Sequence, residues 1–580
     1  MDNLKYFFTL FKKKDKIYVS LIFFGAFVVS LVESLSLGSV AGYIVILSDS
    51  SSILDKLPSG SIKTNLQSLD QKNLLIYSTI GLIILFIIKN IFLLFFNFFS
   101  MKVEKNIYLN LSERLVISYL NQPYIFHTLN NPNNLKNSII SETARSVAFI
   151  FNFLHLIREF LVLFFLIISA FIINYKIALL ILLTMGISSF IFLTTIKNYL
   201  IDLGIKSKIY AEDRLKHLYE TFGIIKIIKL NDLTKLFVKK FYLIHSKKIN
   251  TENKHKFVSL LPRAFLETLA IIIICLTVYY FIYKGVSFKE IFPSLSFLVI
   301  LLVRSIPAFG IININTSVLQ YHKESMKNIL MQFKKYENLK ETKINKNLIN
   351  NKIQSIQLSN VNFSYSNSSP TILDDISIEL NKGETIGFVG ESGSGKTTLI
   401  DIILGLFDPK KGEIKINGKN NLSLVENFEN AVGYVPQDIF LVDDTILFNI
   451  TLDDKIRVTD DKINKIIEDV DLKDFNKQSP EGLNTIVGNK GIKISGGQKQ
   501  RLGIARMLYQ NPELIIMDES TNALDYETEK KIFNKILKLK QDKIIIFINH
   551  RLQMLKNCDK IFVLEKGKIN KNKNINDDLS

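Results

Sequence analysis

Six apolar stretches, each long enough to cross a bilayer, fill the amino-terminal part of this chain and constrain what it can fold into. A spanning helix needs about 20 predominantly apolar residues. Candidates lie near Ile17–Leu47, Leu74–Phe99, Val147–Ile173, Ile177–Tyr199, Phe257–Tyr283 and Ile291–Ile314. Of the 580 residues 48% are hydrophobic, 43 are Phe and 22% are charged, a mixture too apolar for one soluble globule unless it is segregated. Segregated it is: beyond the sixth stretch the chain reads as an ordinary soluble α/β domain. Residues 1–330 are therefore expected to form a six-helix transmembrane domain. Residues 331–352 lack a sustained apolar stripe and read as a linker, and 353–580 as the soluble domain.

Charge orients the spans. The third and fourth are joined only by Asn174, Tyr175 and Lys176, and the fifth and sixth by a short link around Gly285. The second and third, and the fourth and fifth, are separated by long Lys- and Arg-bearing connections, and Lys12–Lys16 precedes the first span. The positive-inside rule places these basic segments in the cytoplasm and the short links outside. Helices with long inward extensions project below the membrane. The formal charge of +18 is explained by juxtamembrane Lys and attraction to anionic lipid rather than by nucleic acid. Cys275 and Cys558 lack a CxxC partner or metal-ligand spacing. No small-residue cleavage site follows the first apolar run, which is expected to stay as a membrane helix.

The soluble half carries the chemistry. Gly390-Glu391-Ser392-Gly393-Ser394-Gly395-Lys396-Thr397-Thr398 follows an apolar strand and opens a helix, the context a phosphate loop requires. Its glycines let backbone N–H groups face phosphate oxygens, Lys396 reaches the β and γ groups, and Thr397 is expected to ligate Mg²⁺. Leu514–Asp518 is a buried strand followed by Glu519. Asp518 is suited to hold Mg²⁺ through water, and Glu519 to polarise the attacking water.

Ile494-Ser495-Gly496-Gly497-Gln498, followed by Lys499-Gln500-Arg501, resembles the signature sequence of ABC ATPases. Its place before a helix suits a second anion site, and in that family the phosphate belongs to nucleotide held by the opposite subunit. By the same resemblance Tyr365, in VNFSY, is the aromatic that stacks on adenine. Gln437, in YVPQD, is the glutamine that senses Mg²⁺ and the transmembrane domain. Asp525, in NALD, lies in the loop that crosses the dimer interface, and His550, in INHRL, is the γ-phosphate histidine. The pattern departs from common exporters at Ile494, Asn522 and Asn549, and at Asn489, where a Glu is usual. That last change puts the usual contact with the transmembrane helices in doubt.

Six spans followed by one ABC ATPase resemble an exporter-type half-transporter. The resemblance implies a homodimer with two ATP sites in a bacterial inner membrane, and coupling helices near Tyr124–Asn131 and Phe222–Lys229. Charges within spans are the clue to cargo, because each costs about 2.5–3.5 kcal/mol at mid-membrane on insertion scales. Glu33, Lys89, Arg158, Glu159, Arg263, Glu267 and Arg304 fall there. The cationic excess at Lys89, Arg263 and Arg304 suits a phosphate or pyrophosphate. Against this, Arg263 and Glu267 are four apart and can form an ordinary intrahelical pair. LPRAFLE, RSIP and SLVESLSLGS are similar to segments of the bacterial flippase of lipid-linked oligosaccharides used in protein N-glycosylation. That family also has a short external helix after the first span, and residues 51–69 have the amphipathic residues for one. The alternatives are a lipid A-like, peptide or multidrug exporter.

Overall fold

The computed structural model describes residues 10–48, 71–285, 288–336, 353–366, 369–420, 431–453, 461–488, 491–549 and 555–570. The expected external element at 51–69, and the positions Asn489 and His550, lie outside them. The chain divides into two compact units, residues 1–122 with 130–340 and residues 123–129 with 341–580.

Every regular element among the described residues of the first unit is helical. Its elements are α1 (Lys13–Ser48), α2 (Gln71–Leu120), α4 (Pro132–Asn137), α5 (Thr143–Gly223), α6 (Ile225–Leu230), α7 (Thr234–Tyr283) and α8 (Phe288–Tyr336), with a short π-helical turn, Ser138–Glu142, leading into α5. The intervening helix α3 (Tyr124–Leu129) belongs to the second unit. Among the described residues, six helical segments are long and apolar enough to cross a membrane. The 50 residues of α2 and of α7 extend about 75 Å at 1.5 Å per residue. A hydrocarbon core is about 30 Å thick, so more than half of each helix lies outside it. Short helices occur where the coupling segments are expected, at α3 and α6.

One expectation needs restating. Helical backbone runs unbroken through the 81 residues of α5, where the sequence suggests two spans and a tight turn. The chain nevertheless doubles back. Gln332 on α8 donates to Ser138 Oγ at 3.0 Å, while Tyr321, on the same helix, lies against Gly204. Those two points on α8 are about 16 Å apart, whereas a straight helix would separate residues 138 and 204 by about 99 Å. The two arms meet α8 together, and Leu163, Leu166, Ile181 and Met185 join Leu266 and Leu298 in one buried cluster. Outward faces carry the opposite signature: Ile87, Ile91, Leu94 and Phe98 of α2 are all exposed, as a lipid-facing surface requires. At its far end α8 continues into the segment expected as linker, as far as Tyr336, because Leu330 and Phe333 are buried and the Tyr336 ring meets that of Tyr119.

The second unit is α/β. Its remaining elements are β1 (Ser355–Phe363), β2 (Leu373–Asn381), β3 (Thr385–Val389), α9 (Lys396–Ile403), β4 (Lys411–Ile416), β5 (Lys419–Asn420), β6 (Val432–Val435), α10 (Ile446–Thr451), α11 (Asp461–Asp469), α12 (Lys473–Gln478), α13 (Gly496–Gln510), β7 (Leu514–Asp518), α14 (Tyr526–Leu537), β8 (Ile544–Ile548), β9 (Lys560–Glu565) and β10 (Lys568–Asn570). A six-stranded sheet runs β10-β9-β3-β8-β7-β6, parallel except for β10, beside a four-stranded antiparallel sheet β2-β1-β4-β5. LIIMD and IIIFI are buried at every position, as parallel strands covered on both faces must be. A parallel sheet of this kind gathers its chemistry outside the carboxyl ends of the strands.

Candidate functional site

Three adjacent strands of the parallel sheet end at the predicted residues. From β3 the chain enters the phosphate loop, in which Gly393 and Gly395 adopt left-handed backbone at φ 82° and 102°. Only glycine does this at no steric cost. Gly390 is required for space as well, because a Cβ there would lie 2.2 Å from the Leu564 carbonyl oxygen. Ser394 Oγ is buried without a hydrogen-bond partner among the described residues, an orphan donor of the kind a phosphate oxygen satisfies. Lys396 donates to the carbonyls of Gly390 at 2.6 Å and Glu391 at 2.9 Å. Burial lowers its pKa, while Glu519 and Asp518 nearby oppose that shift. Ser392 and Thr397 are exposed on the loop and Thr398 is buried beneath it.

The acids come from the end of β7. Asp518 and Glu519 are both buried. Glu519 sits at φ 47°, a left-handed conformation that costs a non-glycine residue about 1–2 kcal/mol. Its N–H donates to the Ile548 carbonyl at 3.0 Å, which ties the turn to the end of β8. Strain of this kind is stored where function fixes a side-chain direction. Gln437 Nε2 donates to Glu519 Oε2 at 2.8 Å, and Asn522 Nδ2 approaches the same oxygen at 3.3 Å. With its NH₂ engaged, Gln437 keeps a carbonyl oxygen, the donor type a hard cation takes. Thr397, Gln437 and Asp518 thus supply oxygen donors of the type Mg²⁺ takes, and few are needed because Mg²⁺ at such sites is held mainly by substrate phosphates and water.

Tyr365 packs edge-on against Phe363 and Phe407, and its hydroxyl lies 3.1 Å from Thr398 Oγ1, beside the loop. The signature helix α13 begins at Gly496 because Ser495 caps it. Ser495 Oγ accepts from Gln498 N at 3.2 Å, and Gln498 Oε1 accepts from Ser495 N at 2.8 Å, a reciprocal capping box. A Cβ on Gly497 would lie 3.2 Å from the Ala523 carbonyl, and Gln500 Oε1 accepts from Ala523 N at 2.9 Å. Signature and Asp525 loop are therefore held together. Asp525 caps α14 by accepting from Thr528 N at 2.9 Å, and that bond lowers its pKa.

Two residues of this site escaped sequence reading. Tyr434 on β6 donates to Asp518 Oδ2 at 3.2 Å. Asp401 on α9 has its pKa pushed up to about 6, mainly by burial and then by the Asp518 charge. The only sequence signal for either is alternation along short strands and helices next to a recognised motif.

In the helical unit Arg304 donates to Glu33, bridging α8 to α1. Lys89 on α2 stands within electrostatic reach of both, its ammonium 4.6 Å from the Phe86 ring centroid. Arg263 pairs with Glu267 at 2.9 Å within α7, the ordinary intrahelical pair weighed above, although its side chain stays exposed. Its Cβ lies 4.0 Å from where one on Gly310 would stand, which places it near α8. Arg158 is bound to Glu159 and Asn97.

Six spanning-length helices and a phosphate-loop unit with a capped signature helix define the architecture of an ABC exporter. The comparisons agree on that fold. Residues 373–522 match the family model described as ABC transporter, which implies ATP binding by this domain. A solved structure described as a bacterial Atm1-family ABC exporter with ATP bound superposes with a TM-score of 0.76, over 95% of this chain and 94% of that one, at 21% identity. A "Putative multidrug export ATP-binding/permease protein" of Staphylococcus aureus (strain bovine RF122 / ET3-1) is 41% identical over 215 residues, 37% of each chain. A protein of the same description from strain NCTC 8325 / PS 47 is 40% identical over the same extent. The chain thus aligns with little more than a third of the length of these relatives.

Proposed function

We propose that this protein is an ATP-driven transporter that works as a homodimer in a bacterial inner membrane, hydrolysing ATP to move a lipid-linked substrate. The observation that carries the ATPase reading is the gathering of Lys396, Asp518, Glu519 and Gln437 at the carboxyl ends of neighbouring parallel strands. Lys396 and the loop amides bind the phosphates, Thr397, Gln437 and Asp518 face the metal side, and Glu519 takes the proton of the attacking water. Mg²⁺, when bound, neutralises charge on the β and γ oxygens. One phosphate loop and one signature per chain mean that each site needs a second copy. His550 is assigned to the γ-phosphate on its sequence context alone.

For the cargo we propose a polyprenyl-pyrophosphate oligosaccharide, supported by Lys89 lying within electrostatic reach of Arg304, by the further basic side chain of Arg263 on α7 and by the resemblance of the span segments. A second reading, export of an amphipathic drug-like molecule, is favoured by the pairing of Arg304 with Glu33 and Arg263 with Glu267, and by the names of the relatives. Reconstituted protein separates them. In the Arg263→Ala/Arg304→Ala double variant, flipping of the lipid-linked glycan is expected to be lost while basal ATP hydrolysis persists; unchanged flipping sinks the pyrophosphate reading. Glu519→Gln is expected to bind ATP but lose about 10²–10⁴-fold in turnover, and full turnover would remove Glu519 from its role.

A further inference from the structure

Tyr434 and Asp518 sit on adjacent parallel strands. Tyr434 is in register with Ile516, and side chains two residues apart on a strand share a face. Asp518 is therefore the diagonal neighbour of Tyr434 on that face, within reach of a long side chain. The phenol uses that reach: its O–H donates to Asp518 Oδ2 at 3.2 Å. Asp401, on the helix that follows the phosphate loop, stands close enough to act on both groups, so the phenol lies among two carboxylates and fixes one of them.

We propose that Tyr434 is a positioning residue for Asp518, holding one carboxylate oxygen so that the group keeps a fixed orientation toward the metal side of the nucleotide. The proposal rests on the reading of Asp518 as a metal-side carboxylate, and it assigns Tyr434 no contact with nucleotide. Removing a hydrogen bond to a charged acceptor loosens the orientation of the carboxylate and leaves it more heavily solvated. Phenylalanine keeps the ring and its packing and deletes only the donor, so Tyr434→Phe isolates the effect.

The test is binding of a fluorescent ATP analogue to the full-length protein in detergent, first in EDTA and then across a Mg²⁺ titration, with Asp518→Asn as reference. Tyr434→Phe is expected to bind in EDTA as wild type does, and to need about tenfold more Mg²⁺ for the half-maximal metal-dependent change. A Mg²⁺ curve superimposed on that of wild type overturns the inference. So does loss of binding in EDTA, which would make Tyr434 part of the pocket's framework. If Asp518→Asn shifts the curve and Tyr434→Phe does not, the present inference falls alone. If Asp518→Asn keeps the wild-type curve, the reading of Asp518 falls too.

Discussion

Two glycines on the long helix α5 are expected to respond to the same substitution in opposite directions. At Gly204 an added Cβ would lie 2.1 Å from the Tyr321 carbonyl oxygen of α8. That is about 1.2 Å short of an ordinary carbon–oxygen contact of about 3.3 Å. The obstacle is helix backbone, so the conflict is relieved only by moving one helix away from the other, and the seam contains buried Leu200, Leu203 and Tyr321. Overpacking costs about 1–3 kcal/mol, and backbone against backbone belongs at the upper end. At about 2–4 °C per kcal/mol for a large domain, a cost of about 3 kcal/mol means that Gly204→Ala is expected to lower the melting temperature by roughly 6–12 °C. Gly186, on the same helix, has nothing within 4 Å of its would-be Cβ. There Ala gains only its helix propensity, about 0.5–1 kcal/mol, and the melting temperature should hold or rise slightly. Both variants should be melted in one detergent at one scan rate, because unfolding of a protein this size is under kinetic control. A Gly204→Ala melt at or above that of wild type, or both variants falling equally, would refute the close crossing of α5 and α8.

Asp401 gives a pH signature. Its folded pKa of about 6 lies above the ordinary aspartate value of 3.8, so between about pH 4 and 6 the folded state holds more protons than the unfolded one. Stability therefore falls as pH rises through that window and levels off above it. Asp401→Asn should melt higher than wild type at pH 8, with the gap closing by pH 4; a gap that widens toward acid contradicts the assignment. The pair Glu33–Arg304 predicts coupling. In a double-mutant cycle of Glu33→Gln and Arg304→Gln, the double variant should be less destabilised than the sum of the singles by about 1–3 kcal/mol. Additive melting shifts would mean that the two side chains do not meet.

Motifs were legible wherever the chemistry sits in one continuous stretch. The phosphate loop, the acids after Met517 and the signature each carry spacing, flanking strand or helix, and turn residues together, so a linear reading finds them. Spans were legible because lipid imposes length and apolarity locally. What failed to show were relations across the chain. Arg304 and Glu33 are 271 residues apart, and nothing near either names the other. Gly186 and Gly204 sit in similar helical sequence, yet only one meets a neighbouring backbone. Tyr434 reads as an apolar strand residue until β6 and β7 are set in register. The helical range of α5 is a further case, because Asn174 and Lys176 mark a turn in composition that does not end the helix.

If the helical unit carries an anion, as proposed, the ion pairs decide which kind it can accept. Lys89, Arg263 and Arg304 bring three positive charges, and Glu33 and Glu267 bring two negative ones, so the group as a whole is only +1. A ligand that engages Arg304 with its charge must first displace Glu33, and removing one partner from a buried pair costs about 3–5 kcal/mol. A single charge-assisted hydrogen bond contributes about 1.5–3 kcal/mol, too little to offset that loss. A bidentate contact to the guanidinium fork makes two such bonds, and a pyrophosphate has oxygens left over for Lys89. On the proposed reading, then, Glu33 acts as a filter that favours multiply charged headgroups over zwitterionic or neutral ones. Glu33→Gln removes the filter. It should let monophosphate lipids stimulate ATP hydrolysis that the wild type reserves for pyrophosphates, and a variant with unaltered lipid preference would show that the pair is structural.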